Sequence, residues 1–142
     1  CEEDVRTVIQ HPVSMIGTDG SAFAQYGVLG EGKPHPRSYG TFPRVLGKYV
    51  REEKIVTLEN AVRKMTSLPA QKLGLRDRGL VKEGMYADIA IFDPKRVIDK
   101  ASYTDPHQYP EGIEYVLVNG KIVIERGEHT GVLAGKALRK HI

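Results

Sequence analysis

The chain has 142 residues, 40% hydrophobic and 27% charged, with 21 basic and 18 acidic side chains interspersed to a formal charge of +3. This is a globular composition rather than a disordered or membrane one. No apolar run approaches the roughly 18 residues of a membrane-crossing helix, and no clustered basic face marks a nucleic-acid partner, so neither a membrane nor a nucleic acid is expected. Cys1 is the only cysteine. That excludes a disulfide within the chain and favours a reducing, cytoplasmic setting.

Cys1 opens the chain without an initiator Met, and the next ten residues read as the interior of something longer. A nucleophilic role for its thiol would need a base and oxyanion donors, and its neighbours show no pattern that supplies them. Glu2 to Gln10 predicts a helix, with acidic residues to complement the helix dipole and Val5, Val8 and Ile9 on one face. His11-Pro12 closes it, because the residue before proline leaves the helical region. Val13 to Ile16 then predicts a strand buried on both faces, as in a parallel sheet. It runs into Gly17-Thr18-Asp19-Gly20. A carboxylate at the end of a buried strand is costly unless paired, hydrogen-bonded or metal-bound, and in a β/α barrel the carboxyl ends of the strands carry the catalytic groups. Asp19 is therefore the first candidate site residue. The competing reading is that its side chain caps the next turn.

Residues 20–36 form a long loop carrying Phe23, Tyr26, Val28 and Leu29. Loops of this length in compact domains are disproportionately functional. Thr41 reads as an N-cap with Pro43 in the first turn, predicting a helix to about Glu53. Thr57 reads as a second cap, for a helix whose apolar stripe from Leu58 through Met65 to Leu68 is core, and a short helix over Ala70 to Leu75 comes next. After Gly79 the texture changes. Ala87 to Phe92 predicts a strand stopped by Asp93-Pro94, and Tyr103 to Gly112 is irregular. Asn119-Gly120 between Tyr115–Val118 and Lys121–Ile124 is a type I′ hairpin signal. The tail from Thr130 to Ile142 is weakly patterned.

Taken in this order, the pieces resemble the C-terminal part of the N-acyl-D-amino-acid deacylases (D-aminoacylases) of the amidohydrolase superfamily. The resemblance rests on Ile16 to Gly20, on the block His35-Pro36-Arg37-Ser38-Tyr39-Gly40-Thr41-Phe42-Pro43-Arg44-Val45-Leu46-Gly47, and on Ala61 to Ala70. It continues through Ala87-Asp88, Phe92-Asp93-Pro94, Pro106 to Gly112 and Val118-Asn119-Gly120. The resemblance implies an α/β fold: residues 1–77 are the last strand, active-site loop and closing helices of a metal-dependent (β/α)8 barrel, and 78–142 are part of a small β-sandwich. It implies that Asp19 is the general base and a metal ligand, that Arg37 holds the substrate's α-carboxylate, and that Tyr39 binds substrate. His35, preceding a proline, reads as structural. The implied cofactor is zinc and the implied substrate a small N-acyl-D-amino acid.

The remaining metal ligands of that family are absent from this chain, whose histidines at 11, 35, 107, 129 and 141 show no ligand spacing. A catalytic zinc takes about three protein ligands, so the chain by itself is expected to be inactive and to need the N-terminal part of the same enzyme. Self-association through the uncovered strand is the other way to satisfy it. Two further readings stay open: a cyclic amidohydrolase of the dihydroorotase or hydantoinase kind, and a non-catalytic stand-alone domain that binds or assembles.

Overall fold

The computed structural model describes residues 1–139. Helix α1 (Glu2–Gln10) forms as the sequence predicts, with Glu2, Glu3 and Asp4 in its first turn and His11 extended ahead of Pro12. Its inner face buries Ile9. Its polar edge is pinned by Arg6, whose Nε donates to Glu53 Oε2 at 2.8 Å and whose Nη2 donates to Oε1 at 3.1 Å.

The next helix begins earlier than expected. α2 spans Arg37–Arg44 and continues as a π-wound helix over Val45–Glu52. Thr41 is not its cap: its hydroxyl lies inside the helix and donates to Arg37 O at 2.9 Å. The start falls at Pro36, whose φ of −50° is already helical, and His35 Nδ1 accepts the first amide, that of Arg37, at 3.0 Å. Pro43 therefore sits in the interior, where its missing N–H breaks the i→i−4 ladder, and the wider winding begins two residues later.

Helix α3 (Leu58–Met65) is capped as predicted, with Thr57 Oγ1 accepting from Asn60 N at 3.3 Å. It ends at Met65 rather than Leu68. The Thr66 hydroxyl turns back to Val62 O at 2.7 Å and the Thr66 backbone leaves the helical region at φ −129°, ψ −87°. Pro69 then lies in the first turn of α4 (Ser67–Leu73), where proline is tolerated, so it helps open a helix instead of closing one. Ile9, Val45, Tyr49, Val56 and Ala61 form the core between these helices, and Ile16, Val50, Ile55 and Met65 pack against it. Of the predicted stripe, Ala61 is core and Met65 packs against it, whereas Leu58 and Leu68 belong to neither set.

The sheet is four-stranded and antiparallel, in the order β1 (Ile89–Phe92), β2 (Ile113–Val118), β3 (Lys121–Glu125), β4 (Glu128–His129). Asn119 and Gly120 at φ 50° and 77° make the expected I′ turn. Asp93 stops β1 by accepting from Lys95 N at 2.8 Å. Residues 130–139 carry no helix or strand, and the last three residues of the predicted tail lie outside the described ones. The π-wound segment meets the connection that follows β1. The fully buried Val97 offers its carbonyl to Arg51, and Gly47 faces Val97 O and Ile98 so closely that a Cβ there would stand 2.7 Å from that oxygen.

Val13 to Ile16 does not form the predicted strand. Among the described residues its backbone-to-backbone bonds are a turn bond, Ser14 N to His11 O, and one bond to α3, Ile16 N to Lys64 O at 3.1 Å. Extended backbone becomes sheet only beside another strand, and β1 to β4 pair among themselves.

Candidate functional site

The site is assembled on the irregular stretch between α1 and α2. Lys64 holds its base: the ammonium donates to His11 O, to Ser14 O at 3.1 Å and to Ser14 Oγ at 2.9 Å. The chain then reaches Asp19, which adopts φ 45°, a conformation that short polar side chains tolerate best. Gly20 comes next, in a space that admits no side chain, because a Cβ would come within 2.9 Å of Ser38 Cα. That close approach sets Asp19 against the first turn of α2.

There Arg37 grips it twice. Its Nε donates to Asp19 O at 2.8 Å and its Nη2 pairs with Asp19 Oδ2 at 2.9 Å. The carboxylate is 84% exposed and the guanidinium 45%, so the pair faces open space rather than a structural interior. Nη1 engages none of the described residues, which leaves one prong of the fork for an incoming anion. A planar guanidinium suits a carboxylate because it can offer two parallel donors.

Tyr39, two residues on, is brought to the same loop but not to the Asp19–Arg37 pair by any hydrogen bond. Its hydroxyl lies 2.9 Å from Ala24 O and 2.8 Å from His107 Nδ1. Burial pushes its phenol above the ordinary value of 10, with Tyr109 adding to the shift, so it stays a neutral donor and acceptor at neutral pH. His35 has the structural role its position suggests, accepting the Arg37 amide through Nδ1. Three contributors escape sequence reasoning: Lys64, Tyr103 and His107. A signal for two of them was present, since Tyr103 and His107 repeat the four-residue spacing of His35 and Tyr39.

Among the described residues no three His, Cys, Asp or Glu side chains converge. Asp19 is the one carboxylate that the described residues bring to Arg37, which already holds it. These residues alone do not fit a catalytic zinc. What the arrangement offers is an exposed carboxylate able to exchange a proton, next to a guanidinium able to bind an anion.

The Amidohydrolase family model matches residues 3–124. The chain belongs to the amidohydrolase family. Within it, the chain is 47% identical over 119 residues to the N-acyl-D-glutamate deacylase of Alcaligenes xylosoxydans xylosoxydans, covering 84% of this chain and 23% of that protein. A D-aminoacylase studied for its binuclear metal centre superposes at a TM-score of 0.89 with 44% identity, covering 99% of this chain and 28% of its own. The N-acyl-D-glutamate deacylase of Bordetella bronchiseptica, solved with zinc and a phosphonate mimic of the tetrahedral intermediate, superposes at 0.78 with 44% identity, covering 87% of this chain and 24% of its own. Dihydroorotases are more distant amidohydrolase relatives, that of Lactobacillus acidophilus being 32% identical over 81% of this chain and 30% of its own length. The chain spans about a quarter of the length of the curated deacylases it matches.

Proposed function

We propose that this chain is the C-terminal portion of an N-acyl-D-amino-acid deacylase, which cleaves the amide to a carboxylate and a free D-amino acid. The observation that carries the reading is the Arg37–Asp19 pair at the start of α2, in a chain 47% identical to such a deacylase. In this reading residues 1–77 complete a (β/α)8 barrel, with Val13 to Ile16 as its last strand, and residues 78–142 belong to the small β domain. Arg37 binds the α-carboxylate through the fork, with Tyr39 lining the pocket beside it. Asp19, displaced from Nη2 by that carboxylate, is left free to take a proton from the attacking water and return it to the departing amine. Zinc is the cofactor this reading calls for, and its other ligands come from elsewhere in the enzyme, because no three ligand-type side chains converge among the described residues. A cytoplasmic location accords with the single unpaired cysteine.

The test uses the full-length enzyme. N-acetyl-D-amino acids are expected to turn over in preference to dihydroorotate and hydantoins. Asp19→Ala removes nearly all of that turnover, on the order of a hundredfold or more, with an unchanged melting temperature. Preference for the cyclic amides, or near-normal kcat in Asp19→Ala, rejects the assignment.

A further inference from the structure

Residues 102–109 cross back over the loop and the first turn of α2, and they meet them through two matched contacts. Tyr103 Oη lies 3.0 Å from His35 Nε2, with the rings edge-on at 5.0 Å. His107 Nδ1 lies 2.8 Å from Tyr39 Oη, with the rings edge-on at 5.6 Å. Both pairs are 68 residues apart in sequence, so one tyrosine–imidazole pair is succeeded, four residues on, by an imidazole–tyrosine pair. The protons are determined by the partners. His35 Nδ1 accepts the Arg37 amide, so its neutral ring carries hydrogen on Nε2 and donates to Tyr103. His107 Nε2 faces Gly32 O at 2.9 Å and must donate there, so Nδ1 of the neutral ring is an acceptor, and the one phenol hydrogen of Tyr39 is shared between it and Ala24 O.

We infer that Tyr103 and His107 are positioning residues for the carboxylate end of the substrate. Tyr103 fixes His35, and through it the backbone amide of Arg37; His107 fixes Tyr39 and ties it to the loop at Gly32. The inference rests on the deacylase reading for the roles of Arg37 and Tyr39. What sets it apart from simple packing is exposure: Tyr103 is 76% exposed, so it covers little apolar surface, and its hydroxyl ends on a ring that ends on Arg37. Two contacts one turn apart fix the direction of the helix start, which one contact could not. A bidentate clamp is sensitive to direction.

The test compares Tyr103→Phe, His107→Gln and His107→Asn in the full-length enzyme with N-acetyl-D-amino acids. Gln keeps a polar atom where Nε2 stands, and Asn keeps one where Nδ1 stands. Tyr103→Phe and His107→Gln are expected to raise KM about fivefold to tenfold with kcat within about twofold, as for lost ground-state orientation, and His107→Asn to restore KM to within about twofold. A merely structural contact would instead lower the melting temperature and kcat at constant KM, and that pattern overturns the inference. Should the wild type be inert toward N-acyl-D-amino acids, the deacylase reading fails, and amide exchange then decides the positioning role. Exchange at the Arg37 amide about tenfold faster in Tyr103→Phe, and in the loop about tenfold faster in His107→Gln, supports it; unchanged exchange in both overturns it.

Discussion

Lys64 carries an ammonium into the interior with only oxygen lone pairs beside it, two carbonyls and a hydroxyl, and no carboxylate. Burial pushes it below its ordinary value of 10.5, with Arg63 adding to the shift. The side chain takes the place of a neighbouring strand, because its three donors face the backbone stretch that the sheet leaves unpaired. Lys64→Met orphans Ser14 O, while His11 O keeps the Ser14 amide and hydroxyl. One unsatisfied buried carbonyl costs about 1–3 kcal/mol, and that is the loss expected in denaturant melts at pH 7. The pH dependence has a definite sign. The folded state holds this proton less firmly than the unfolded one, so stability rises with pH between the lowered value and 10.5. The wild type should therefore gain on Lys64→Met across that window; a constant difference would show that the amine is not desolvated. No sequence pattern announced this residue: the stripe from Leu58 through Met65 to Leu68 marks the apolar face, and Lys64 is not part of it.

At the scale of elements, α1 is held by charge as much as by Ile9. Glu2 accepts from Tyr49 Oη at 2.8 Å and pairs with Lys48, and Glu53 receives the Arg6 fork. The Lys48 hydrogen bond, then that of Tyr49, holds the Glu2 carboxyl below its ordinary 4.5, and the Arg6 hydrogen bond does the same for Glu53. Both contributions are complete above pH 4.5 and are lost as the pH falls through the lowered folded values. Acidification below 4.5 is thus expected to release α1 before the sheet, seen as faster amide exchange in Glu2–Gln10 while the β2–β3 hairpin stays protected. Glu2→Gln with Glu53→Gln should show that release already at pH 6, and equal acid sensitivity of wild type and double variant would refute it. The helix itself was legible from its acidic first turn and its closing proline. Its docking was not, because Arg6 and Glu53 are 47 residues apart. The same distinction bears on α2, where a good local cap at Thr41 lost to a start at Pro36 made favourable by His35, which Tyr103 holds from 68 residues away.

For the whole molecule, the decisive feature is the stretch from Val13 to Met15, which are 70% and 39% exposed. With Leu68, Gln71 and Lys72 they line a shallow apolar groove. Fully burying one such side chain is worth about 1.5–3 kcal/mol, against a domain stability of about 5–15, so leaving several uncovered is a substantial deficit. In the isolated 142-residue chain, amides from Val13 to Ile16 are expected to exchange much faster than those of β2 and β3, whose hydrogen bonds are local. Equal protection in a dilute monomer would show that the stretch has found another cover, and the proposal that it completes a larger barrel would lose its support.

By itself the sequence determined what depends on near neighbours: α1, the Thr57 cap, the Asn119-Gly120 hairpin and the stop at Asp93 arise from dipoles, caps and turn chemistry acting within a few residues. It also singled out Asp19, from its place after an apolar run, and Arg37, through motif resemblance, as separate site candidates. Tertiary structure decided what depends on residues far apart. It brought Arg37 onto Asp19 and set His35 and Tyr39 against Tyr103 and His107. It also buried Lys64 under the loop base and left Val13 to Ile16 without a strand to pair with. The physical reason is range: a cap or a turn is satisfied by atoms a few residues away, whereas a strand edge, a buried ammonium or a guanidinium fork takes its meaning from whatever the folded chain places opposite it.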